Sequence, residues 1–209
     1  MLPVRLFTLL FASMLFSSAC ATVTPAESEA APLQEPALIE VLPDTLQSFD
    51  LQGYKYFQDS SGGYSVRYAN LPKRRIADVY IYPVADENIE LAHDQLVLGS
   101  TRATIQAIGE AARQGHYANF NVVNAGTQAY GVRTVARVQA TYLRQNLASM
   151  TLVYQTEYKG TLVKIRVSMP DNESNRNSQE WDDFAENMFS TIITQLDESA
   201  SISLTAVQQ

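Results

Sequence analysis

The sequence predicts an α+β fold, a two-layer antiparallel sheet of about six or seven strands covered on one face by two helices, in the order β-β-β-α-β-β-β-β-α. Three observations predict it. Alternating apolar runs succeed one another with only turn residues between them, the mark of an antiparallel meander. A stripe at helical spacing closes the chain: Trp181, Phe184, Ala185, Met188, Phe189, Ile192, Ile193 and Leu196. One proline-free stretch, Asn88 to Gln114, interrupts the strands.

The N-terminus reads as an address. Met1 to Arg5 is short and positive, and Leu6 to Phe16 is apolar. Small residues Ser17-Ser18-Ala19 lead into Cys20, the order of a secretory signal. The apolar run is too short to span a membrane, which takes about 20 residues. Ser18-Ala19-Cys20 resembles the end of a bacterial lipobox, although Ser17 stands where that pattern prefers Leu. The resemblance implies acylation of Cys20, and Ala21 after it resembles the outer-membrane sorting class. Ala19-Cys20-Ala21 also fits ordinary cleavage after Ala21, which would leave a soluble periplasmic protein. The expected organisation is a signal peptide over 1–19, an acylated tether over 20–48, one domain over 49–198 and a tail over 199–209. The tether is expected to be a spacer, because half of the chain's eight prolines lie between Thr22 and Leu46 and no aromatic residue does. Leu38 to Leu42 could instead dock on a partner or on the domain itself.

Strands follow. Residues 54–58 precede the Gly62-Gly63 turn, and Tyr64, Val66 and Tyr68 alternate after it. Val79 and Ile81 alternate with Tyr80 and Tyr82 until Pro83 stops the strand. Asn88–Gln114 should be a helix with Leu91, Leu98, Ile105 and Ala112 inward, capped by Asp86 or Asn88 and ended by Gly115. Phe120 to Val123 reads as a short strand. Long alternating strands run from Val132 to Leu143, Met150 to Tyr158 and Val163 to Met169, with Lys159-Gly160 as a tight hairpin. Asn177 or Ser178 should cap the final helix.

Composition limits the chemistry. The formal net charge is −7, which disfavours nucleic acid and anionic lipid as general partners. Lys73-Arg74-Arg75, the one basic cluster, is expected to be a solvated loop. Cys20 is the only cysteine, so no disulfide can form within the chain. His93 and His116 are the only histidines. They lie some 35 Å apart if the helix between them is continuous, too far to share a metal. Asp171, Glu173, Asp182 and Asp183 cluster without the spacing of a calcium loop and read as a solvated loop with favourable helix-dipole charges. No nucleophile, phosphate or zinc motif is present in the sequence, so the expectation is no enzyme, no cofactor and no metal.

The order of elements resembles the PsbP-like fold. The resemblance rests on Gly63-Tyr64-Ser65-Val66-Arg67-Tyr68, the Lys159-Gly160 hairpin and the closing Trp181-x-x-Phe184-Ala185-x-x-Met188-Phe189 helix, and spans about residues 52–197. It implies adaptor, assembly or subunit-binding roles without catalysis. The residues themselves offer one candidate surface. Tyr80 with Tyr82, and Arg133 with Arg137, are spaced to share strand faces, and Tyr and Arg dominate protein-binding hot spots. The expected function is a non-catalytic interaction or assembly module anchored to the outer membrane by lipid, facing the periplasm and binding an envelope protein. The alternative is a binder of a small ligand or glycan, in a groove between sheet and helices.

Overall fold

The computed structural model describes Ile39 and residues 42–57, 62–84, 88, 90–131, 133–176 and 178–206, without the side chains of Ser178 and 198–206. All lie within one unit, Glu35–Gln209. Cys20, the signal, the lipobox and most of the tether fall outside the described residues, as do Asp86, Val132 and Asn177.

Eight strands form one sheet: β1 (Thr45–Leu46), β2 (Phe49–Tyr56), β3 (Tyr64–Asn70), β4 (Arg75–Pro83), β5 (Ala118–Tyr130), β6 (Arg133–Arg144), β7 (Leu147–Tyr158) and β8 (Thr161–Pro170). Helix α1 (His93–Arg113) separates β4 from β5, and α2 (Ser178–Ala206) ends the chain. The class is α+β, as expected from the sequence, with two helices and an antiparallel sheet. The sheet order is β1-β2-β3-β4-β8-β7-β6-β5, two meanders joined where β4 pairs with β8.

Turn chemistry fixes the register. Lys159 and Gly160 take φ of 47° and 76°, and Gln145 and Asn146 take 51° and 63°. Two central residues at positive φ match the twist of the strands they join. Pro83 and Pro170 are the last residues of β4 and β8, consistent with their role as strand ends.

One expectation is corrected: the helices cover opposite faces. Val135, Leu152, Tyr154, Val163, Ile165 and Val167 face α2 and meet Trp181, Phe184, Met188 and Ile192. The alternate residues Val138 and Val153 meet Ile108 of α1, and Leu162 meets Leu96. Strand side chains alternate between faces, so the architecture is three layers. The signal was continuous apolar character in the middle strands, and Met150 to Thr156 are all buried.

α1 also differs in detail. It begins at His93 after Ala92, not at Asp86 or Asn88, and Ala92 provides no side-chain cap. Its buried residues are Leu96, Val97, Thr101 and Ile108, whereas Leu98 is 42% exposed. Thr101 is tolerated on the inner face because its Oγ1 donates to the Val97 carbonyl at 2.7 Å. Gly99 lies within the helix and does not divide it. In α2 the expected stripe is the observed one, with Trp181, Phe184, Ala185, Met188, Phe189, Ile192 and Ile193 buried and Leu196 packed beside them.

The ends of the domain extend past the expected bounds. Ile39 and Leu42 belong to the core, and Tyr68 Oη donates to the Pro43 carbonyl at 2.9 Å. Part of the expected tether therefore docks on its own domain. Helix α2 runs to Ala206, into the expected tail.

Candidate functional site

The four residues expected to share a surface divide between the two faces. Arg133 and Arg137 lie on the α2 side and are engaged there. Arg137 Nε donates to Asp182 Oδ1 at 2.9 Å, and Tyr154 Oη donates to the same oxygen at 2.8 Å. This cluster pins α2 to β6 and β7. Arg133 stacks over the Tyr158 ring at 5.2 Å. Tyr80 and Tyr82 lie on the α1 side, where Tyr82 and Ser100 share a hydrogen bond of 3.2 Å between their hydroxyls.

Around Tyr80 the sheet builds a cleft against α1. Its volume is about 180 Å³, and its walls include Tyr80, Thr104, Ile108, Tyr117, Lys164 and Arg166. Strand register assembles it. Tyr80 of β4 is opposite Lys164 of β8, which is opposite Gln155 of β7, all on one face. One row along, Arg67 pairs in register with Asp78, and Asp78 with Arg166. Asp78 accepts from Arg67 Nε at 2.7 Å. The Lys164 ammonium lies 4.5 Å from the Tyr80 ring centre and 5.8 Å from that of Tyr82. Burial, and then the charge of Arg166, pushes the Lys164 pKa down. Burial also pushes the Tyr80 and Tyr82 hydroxyls up, so both remain neutral donors at neutral pH.

Lys164, Arg166, Gln155 and Tyr117 were not singled out from the sequence. The signal was present: two cations at i and i+2, set among Leu162, Val163, Ile165 and Val167 in one strand. They read as the solvated face because α1 was expected on the other side.

A larger cleft, of about 390 Å³, lies at one end of the sheet between Leu71, Arg75, Tyr142, Arg144, Leu147 and Pro170. Arg75 corrects the expectation of a solvated basic loop. It is 3% exposed and stacks over Trp181 at 4.5 Å, and its guanidinium is held by Asn175 and Glu180. Among the acidic residues considered for a cation, Asp171 pairs with Arg176 at 2.8 Å, Asp182 holds Arg137, and Asp183 accepts from Gln179. Among the described residues, no group of three or more His, Cys, Asp or Glu is placed to hold a metal. His93 sits at the start of α1, with Nδ1 at 2.9 Å from Glu157 Oε2 and Nε2 at 3.3 Å from the Thr134 carbonyl.

The other distinctive feature is an edge. β5 is the outer strand at the end of the sheet opposite β1 and, among the described residues, pairs on one side only, with β6. It was expected to be short and has 13 residues, ANFNVVNAGTQAY, none charged. Val122 and Val123 are 36% and 54% exposed. No helix among the described residues is long and apolar enough to cross a membrane.

No protein-family model and no curated protein matches the chain. Among solved structures, it is similar to a protein of unknown function, PA94, from Pseudomonas aeruginosa, with 11% identity, 69% of this chain and 85% of that one covered, and a TM-score of 0.38. It is similar also to cyanobacterial PsbP from Synechocystis sp. PCC 6803, in a solution structure, with 15% identity, 66% of this chain and 84% of that one covered, and a TM-score of 0.48.

Proposed function

We propose that the protein is a non-catalytic interaction module of the bacterial envelope, acylated at Cys20, held to the outer membrane and facing the periplasm, and that it receives an extended segment of a partner protein along β5. The observation that carries this reading is the edge itself. A long outer strand with an unpaired row of backbone groups can add a strand from another chain. Proteins that avoid such pairing commonly place Lys, Pro or inward charge on the edge, and β5 carries none of these. Two register irregularities, at Ala118/Asn121 and Val122/Asn124, mark its first half, so the regular stretch from Asn124 to Tyr130 is the better template. A lipid tether would raise the local concentration of the module near envelope partners. With cleavage after Ala21 instead, the same module would be soluble in the periplasm.

The test is crosslinking in intact cells followed by mass spectrometry, using wild type, Cys20→Ala and Thr127→Lys. Recovery of one envelope protein, reduced in both variants, supports tether and edge together. Recovery unchanged by Thr127→Lys removes the edge from the reading, and recovery unchanged by Cys20→Ala removes the anchor.

A second reading, a small-ligand site between sheet and helix, is favoured by the cleft of Tyr80, Lys164 and Arg166.

A further inference from the structure

Lys164 and Arg166 are two cations on one strand face, beneath one helix, and among the described residues neither is paired with a carboxylate. Lys164 makes no hydrogen bond or ion pair with any described residue, and its contacts are ring faces. Arg166 donates from Nε to Thr151 Oγ1 at 3.3 Å and lines the cleft beside Tyr117. Five N–H groups leave it further donors. Asp78, the acid opposite Arg166 in register, is held by Arg67.

A second observation points the same way. Gln155, beside Lys164 in register, is fully buried, and neither its Nε2 nor its Oε1 has a hydrogen-bond partner among the described residues. A buried amide left without a partner loses the hydrogen bonds it made with water in the unfolded chain and so costs stability. Two partly buried like charges and an unpaired amide in one small region form an arrangement that folding stability alone does not favour.

We propose that this cleft binds a compact anionic group, a carboxylate or a phosphate, with its charge between Lys164 and Arg166 and its body against Tyr80, Tyr117 and Ile108. Arg supplies a planar fork for two oxygens, Lys a point charge, and the tyrosine hydroxyls further donors. A volume of about 180 Å³ suits a small acid or the anionic head of a larger molecule rather than a whole drug-sized ligand. This inference gives the second reading its ligand class and does not depend on the edge of β5.

The experiment is an amide NMR titration of the full chain in detergent micelles. Sodium phosphate and sodium acetate are added separately, with sodium chloride at matched ionic strength and pH as the reference. The expected result is saturable shifts at residues 104–111, 117, 164 and 166 with one of the two anions, weakened at least tenfold in Lys164→Gln. The phosphate arm and the acetate arm assign the chemistry between them. Thr104→Glu provides a second variant, whose carboxylate on the cleft wall should compete with the added anion and reduce the response. Shifts that track chloride equally, saturable shifts elsewhere on the chain, or a response unchanged in both variants would overturn the proposal. None of these outcomes bears on strand addition at β5.

Discussion

Arg75 donates to the side-chain oxygen of Asn175 from both Nε, at 2.9 Å, and Nη2, at 2.6 Å, across one hundred residues of sequence. Its third contact, Nη1 to Glu180 Oε1 at 2.8 Å, reaches the first turn of α2. Asn175 donates in turn to the Pro170 carbonyl, and its own carbonyl accepts from Trp181 Nε1. One buried guanidinium therefore ties the start of β4 to the end of β8 and to the beginning of α2.

Removing that guanidinium should be costly. Arg75→Met leaves Asn175 Oδ1 and Glu180 without their donor, and a loss of about 3 kcal/mol is expected from breaking one side of a buried charged network. Arg75→Lys should recover less than half, because an ammonium cannot serve both Asn175 and Glu180 in the fork geometry. Urea unfolding of the three proteins measures this. A loss under about 1 kcal/mol in Arg75→Met would show the network to be peripheral.

Gly63 is fixed by proximity rather than by its dihedrals. A Cβ there would meet Tyr82 Cβ at 2.6 Å and the Ile81 carbonyl oxygen at 2.7 Å. Those atoms belong to β4, which cannot move without disturbing its pairing with β8. Gly63→Ala should destabilise by about 1–3 kcal/mol through overpacking, whereas Gly126→Ala, with open space around it, should cost far less. Thermal unfolding of the two variants side by side is the comparison.

Buried tyrosines set the alkaline limit. Burial pushes the hydroxyls of Tyr64, Tyr130 and Tyr154 well up from their ordinary value of 10 and that of Tyr68 up to about 12. Below pH 10 these groups keep their protons in both states and contribute no slope. Above it the unfolded chain loses protons that the folded chain retains, so stability falls as pH rises. The decline should begin near pH 10 and continue through pH 12. Urea midpoints at pH 8, 10 and 11 test it. Tyr154→Phe should be less stable at pH 8, having lost its bond to Asp182, yet show a shallower decline.

Gln155 offers a prediction of the opposite sign. Gln155→Leu removes an unpartnered buried amide at nearly constant volume, so a gain of about 1 kcal/mol is expected. A loss of similar size, measured by chemical denaturation, would mean that the amide is satisfied in solution.

Local patterns carried the elements well and their mutual placement poorly. The α2 stripe was legible because seven apolar residues at helical spacing can be buried only together. The Lys159-Gly160 hairpin was legible because the glycine between two alternating runs suits the positive φ that such a turn requires. The side of the sheet chosen by α1 was not, since Thr101 occupies its inner face and Leu98 its outer one. That misplacement hid the cleft, because Lys164 and Arg166 look like solvent-facing residues until a helix is laid over them. The length of β5 was hidden for a related reason. An outer strand exposed along most of its length has no apolar alternation to announce it.

The seam between β4 and β8 has a consequence for the order in which the molecule is made. β4 ends at Pro83 and its partner begins at Thr161, so residues 84–160 must be synthesised before the pair can close. At ribosomal rates of roughly 5–20 residues per second that is a delay on the order of 4–15 s. Throughout it, the first meander presents as an open margin the strand that becomes central in the finished sheet. Contacts of long sequence separation form late, so the interval belongs to the nascent chain and to whatever escorts it, and closes only when the last strand arrives.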